Sequence, residues 1–195
     1  MKNKKTTVFV FVLLIVAAAL YRAWDTRPWG FAPQIAMALF AGSVIKDKRF
    51  SFLVPLFSML ISDVLYQFLY SRGLTEIRGF YHGQWVNYTL FTAITVIGFF
   101  INKNKIGSVI LGSLAGVVFF FIASNFLDWA GGGLDINNQP YPKTFSGLMS
   151  CYTAGLPFLK GSLWATLLFD GIFFGCYHLF NRFSPGSNKV LTQKS

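Results

Sequence analysis

Long apolar runs separated by short polar connections set the pattern of this chain. They cover residues 6–21, 31–45, 50–70, 84–101, 106–127, 145–156 and 161–180. A helix rises ~1.5 Å per residue, so about 20 apolar residues cross a hydrocarbon core of ~30 Å. Six of the runs are predicted as transmembrane helices on that basis. The run over 145–156, at twelve residues, is too short. It is predicted as a re-entrant or interfacial helix before the last span. Pro33 falls in the first turn of its helix, where a missing N–H costs little. Pro55 predicts a kink near the start of the helix over 50–70. Ala32 and Ala36, Ala38 and Gly42, and Gly171 and Gly175 put small residues four apart, a spacing that lets helices approach closely in lipid. The predicted fold class is an all-α integral membrane protein, with six transmembrane helices in a single domain over 1–195.

Composition makes lipid the main solvent. Of 195 residues, 54% are hydrophobic and 12% charged, about half the ~25% charged share of a soluble domain. The formal net charge is +10, yet no basic helix face or basic tail gathers it, which argues against a nucleic-acid partner. Counting Lys and Arg gives the orientation. The turns 46–49 and 102–105 and the two ends hold eleven, and the intervening connections hold six. By the positive-inside rule both termini are cytoplasmic, with tails at 1–5 and 182–195, and the protein is multi-pass in the cell's inner, cytoplasmic membrane. Residues 128–160 then form an outer loop and interfacial lid. A rival reading takes Ala17-Ala18-Ala19 as a signal-peptide cleavage site, leaving five spans. Cys151 and Cys176 lie too far apart in depth for a disulfide, and neither has metal-ligand spacing.

Depth gives the polar residues their meaning, because polar groups within spans are costly and face cavities or partners. Asp63, Tyr66, Gln67 and Tyr70 share one face of the outer half of their helix. Gln84, Asn87, Tyr88, Thr92 and Thr95 descend from the outer end of the next, and Ser124, Asn125 and Asp128 end another. Gln34 stands in a first outer turn, and Ser162, Thr166 and Asp170 step toward mid-membrane. Polar groups crowded at one end describe a cup open to the outside, whereas a pore carries them throughout. The expected activity is capture of an external, vitamin-like small molecule for uptake. Trp129, Trp85 and Tyr66 are expected to stack on it. Asn125, Asp128, Asp63, Gln67, Asn87 and Lys143 are expected to bond or neutralise it, under a lid that includes Tyr141. The same residues also fit a plainer account, in which the carboxylates cap helices or pair with basic residues and the aromatics form an interface belt. A structural or assembly protein whose outer rim binds a protein partner is therefore the alternative function. His82 and His178 have no second ligand at metal spacing, and no nucleophile–base pattern appears. No metal, cofactor or enzymatic role is expected.

Trp29-Gly-Phe-Ala-Pro33, Ser62-Asp63, Ser124-Asn-Phe-Leu-Asp-Trp129, Tyr141-Pro-Lys-Thr144, Gly147-Leu-Met-Ser-Cys-Tyr152 and Leu156-Pro-Phe158 carry a resemblance. Together they resemble a family of bacterial six-span membrane proteins of unknown function, over roughly 23–177. The size, topology and outward pocket are also similar, at the level of fold, to the substrate-binding S components of energy-coupling factor transporters. That similarity implies a vitamin-like ligand and, as partners, a coupling transmembrane subunit with ATPases.

Overall fold

The computed structural model describes residues 28–183, together with Val16, Leu20 and Tyr21. The helix expected over 6–21, the question of its cleavage, the tail 1–5 and residues 184–195 lie outside the described residues. The described chain forms α1 (Gln34–Val44), a single turn α2 (Lys48–Ser51), α3 (Leu53–Ser71), α4 (Gln84–Gly98), α5 (Ile106–Gly131) and α6 (Phe145–Phe183). Among the described residues the only β pairing is an isolated bridge between Leu134 and Pro140.

The fold is organised around α1. Every residue from Gln34 to Gly42 is buried, and α1 packs against α3, α4, α5 and α6. Its small side chains make this possible. A Cβ on Gly42 would stand 2.3 Å from the Thr95 carbonyl oxygen and 3.0 Å from the Gly98 Cα. A Cβ on Gly98 would stand 2.5 Å from the Leu39 carbonyl oxygen. At this crossing α1 and α4 touch backbone to backbone, as the small-residue spacing ending at Gly42 predicts. Gly171 and Gly175 differ: nothing lies within 4 Å of where a Cβ would be, so their matching spacing joins no described helix.

Three helices are long and apolar enough to cross a membrane: Lys48–Ser71 taken through its break at Phe52, Ile106–Gly131, and Phe145–Arg182. The break lies just before Pro55, whose missing N–H belongs to that turn. α1 has 11 residues and α4 has 15. Leu60, Val64 and Phe68 on α3, Leu111 and Ile122 on α5, and Trp164 and Leu168 on α6 are all exposed. Large apolar side chains covering the outside of a bundle are at home in lipid and not in water.

The last helix departs from expectation. The short piece expected over 145–156 and the span expected over 161–180 are one helix of 39 residues with Pro157 inside it, about 58 Å long. Gly155, Pro157, Lys160 and Gly161 resemble a break in sequence, but the glycines serve packing. A Cβ on Gly155 would meet the Asn125 carboxamide at 2.4 Å, and one on Gly161 would meet the Trp29 carbonyl oxygen at 1.9 Å. No separate re-entrant helix forms.

The cationic turns meet at one end. Lys48 Nζ donates to the Gly42 carbonyl at 2.6 Å and lies over the Phe99 ring, closing the C-terminus of α1. Lys103 sits over Tyr177, and its carbonyl oxygen lies 2.7 Å from His178 Nε2. The polar connections 72–83 and 132–144 belong to the other end.

Candidate functional site

At that other end the N-terminus of α4 and the C-terminus of α5 leave a groove of about 670 Å³. This volume falls within the ~300–1,000 Å³ of small-molecule sites. Tyr81, Trp85 and Asn87 stand on one wall and Ser124, Asp128 and Gly131–Gly133 on the other. The Trp85 indole is 67% exposed, so it offers a free flat face. Asn87 Nδ2 donates to the Tyr81 hydroxyl at 2.7 Å, which fixes the amide at the groove wall. Asp128 is the one acidic residue among the lining residues, which also include His82. The groove thus suits a ligand with a planar apolar body and hydrogen-bond donors or a positive group.

The C-terminus of α5 explains how this wall is built. Gly132, in the left-handed conformation at φ 86°, ends the helix. Gly133 N–H donates to the Asp128 carbonyl at 2.8 Å. A Cβ on Gly133 would lie 2.4 Å from the Asp128 carboxylate, so glycine lets the carboxylate keep its place against the returning chain. The connection then returns on itself. Tyr141 N–H donates to the Gly133 carbonyl at 3.0 Å. Trp129 Nε1 donates to the Pro142 carbonyl at 2.8 Å, and Lys143 Nζ donates to the Trp129 carbonyl while lying over its ring. Residues expected to grip a ligand under a lid instead brace the loop that forms the wall. Tyr141 is buried. Burial pushes its phenol above the ordinary range, with Cys151, Asp128 and Asp135 adding to the effect.

Asp135 ties the turn at the tip, its Oδ1 accepting from Gln139 N–H at 2.9 Å and Asn137 N–H at 2.8 Å. Those backbone bonds, the Gln139 one foremost, hold its carboxyl below the usual range. A depressed folded value means the support is complete above the unfolded value of 3.8 and is lost as pH falls through the folded one. Asp135→Ala is expected to speed amide exchange at Asn137 and Gln139 at neutral pH. In the native protein the same change is expected only below pH 3.8.

Asp63, Tyr66 and Gln67 are placed elsewhere. Asp63 is fully buried and its Oδ2 accepts from Gln84 Nε2 and, at 2.6 Å, from the Tyr88 hydroxyl. Gln84 Nε2 also donates to the Gly79 carbonyl at 3.1 Å. Gln67 Oε1 accepts from Phe80 N–H at 3.4 Å. A Cβ on Gly79 would lie 1.9 Å from the Asp63 carbonyl oxygen. This cluster fastens the 72–83 connection onto α3 and does not line the groove. Tyr66 is buried on the same helix. Asn125 donates to the Phe121 carbonyl of its own helix at 2.8 Å and packs against Gly155. Of the ten residues expected at the site, Trp85, Asn87 and Asp128 share the groove. Tyr81 and Ser124 join them there. Tyr81 precedes the apolar run and carries no spacing signal.

A bundle of helices clad in apolar side chains, with a few polar groups such as Ser113 and Asp170 hydrogen-bonded to each other inside it, defines an all-helical membrane protein. The chain matches, over residues 2–187, the family described as "Family of unknown function (DUF6580)", and belongs to it. No curated protein and no solved structure is significantly similar to it.

Proposed function

We propose that this protein is a membrane-embedded small-molecule binding and uptake protein, similar in role to the S components of energy-coupling factor transporters. The groove between α4 and α5 carries this reading, with an indole, a carboxamide and a single carboxylate on its walls. The chain in this reading has six spans and both termini in the cytoplasm of a cell whose inner membrane it occupies. The excess of Lys and Arg at the end opposite the groove supports that orientation. The groove then opens outward and takes a vitamin-like ligand. A coupling transmembrane subunit with ATPases drives its release inward.

A second reading has its own support. The Asp63–Gln84–Tyr88 cluster and the Trp129–Lys143 brace pack polar residues against one another, as in a structural or assembly protein whose rim meets a protein partner. Native mass spectrometry of the gently extracted protein separates the two. Capture predicts a bound small molecule that is lost when Asn87→Ala and Asp128→Ala are combined. The same ligand-free mass for both forms, with equal uptake of every labelled vitamin by cells carrying either, overturns it.

A further inference from the structure

A second cavity lies at the N-terminus of α1. It has a volume of about 200 Å³ and draws walls from Gln34, Met59, Asn87, Phe91, Phe120 and Phe158, so α1, α3, α4, α5 and α6 all contribute. Gln34 is 3% exposed. Neither its Nε2 nor its Oε1 has a hydrogen-bond partner among the described residues. A buried carboxamide with nothing to bond is destabilising, and a folded chain keeps one where something else completes it. The remaining walls are chiefly apolar. Phe91 and Phe120 stack at 5.3 Å between centroids, and Phe158 is held against Trp29 at 5.5 Å and 11°.

We infer that this cavity is a binding site for one planar ring carrying an N–H next to a C=O, the edge of a cyclic amide or ureide. Such an edge pairs with a carboxamide through two parallel bonds, supplying an acceptor to Nε2 and a donor to Oε1. The phenylalanine rings, already stacked in pairs, offer the bound ring an apolar wall. The volume is below the ~300–1,000 Å³ of a whole drug-sized ligand, which limits the occupant to a single ring or to about six waters at ~30 Å³ each. Asn87 lines both this cavity and the groove. The assignment rests on the capture reading for its purpose: the ring enters here and the rest of the ligand occupies the groove.

The probes are 2-pyridone, which has the required edge, and 1-methyl-2-pyridone, which lacks the donor. Binding to the full chain in lipid nanodiscs is followed by saturation-transfer NMR and by the side-chain amide resonance of Gln34. The expected result is about tenfold tighter binding of 2-pyridone, the size of one well-made hydrogen bond, with a shift of that resonance. Gln34→Leu is expected to erase the preference, and Gly107→Ala, where nothing lies within 4 Å of the new Cβ, to leave it intact. Equal binding of both probes, binding of neither, or a preference that survives Gln34→Leu overturns the assignment. The unsubstituted protein alone decides it if Gln34→Leu does not fold. Should neither probe bind while a copurified ligand is lost in the Asn87 and Asp128 double variant, capture stands and the ring site falls. If 2-pyridone binds through Gln34 but nothing copurifies, the groove reading falls alone.

Discussion

Replacing Gly42 by leucine is expected to abolish the folded bundle. The atoms that a side chain at Gly42 meets are the Thr95 carbonyl and the Gly98 backbone, which have no rotamer to change. Even alanine forces α1 and α4 apart, at the ~1–3 kcal/mol typical of an overpacked core or beyond it. Leucine adds three more carbons at the same crossing. The displaced helix is the one all the others pack on, so the loss spreads through the fold. Gly98→Leu is expected to behave alike, meeting the Leu39 backbone from the other side. Gly107→Ala is the matched control, with nothing within 4 Å of its Cβ position; it should be neutral or gain up to ~1 kcal/mol from helix propensity. Thermal unfolding and size-exclusion profiles in detergent check all three. A cooperative Gly42→Leu protein with an unshifted midpoint overturns the account of the crossing.

Asp63→Leu is expected to be the next most damaging change. It removes the acceptor shared by Gln84 and Tyr88 and leaves two donors inside the fold without it. Two hydrogen bonds to a buried carboxylate are lost while their donors stay behind, at ~1–3 kcal/mol each, so a total loss of about 2–5 kcal/mol is expected. Asp63→Asn keeps the shape and one acceptor oxygen, and should recover about half. The 72–83 connection loses its fastening in the leucine variant, so protease cleavage near Gly79 should precede global unfolding. Unchanged cleavage and stability in that variant would show that the cluster holds nothing.

Much of the helical layout is legible in the sequence because apolar runs and breakers act locally. Predicted runs over 31–45, 50–70, 84–101 and 106–127 enclose or overlap α1, α3, α4 and α5. The last helix is not legible, since Gly155 and Gly161 carry the same letters whether they break a helix or make room for Asn125 and Trp29. The site divides along similar lines. Hydrophobic depth places Trp85, Asn87 and Asp128 at one end together. It says nothing of helix rotation, which turns Asp63 toward Gln84 and away from the groove. Trp129 and Lys143 are fourteen residues apart, and only the fold of the intervening loop makes them partners.

The central position of α1 has a consequence for synthesis. α1 leaves the ribosome before α3, α4, α5 and α6, and its 11 residues cover about 17 Å of a ~30 Å hydrocarbon layer. Until α3 to α6 arrive, a carboxamide and a short stretch of alanines must wait in the bilayer without walls. α1 therefore gains these neighbours only as the later helices insert around it.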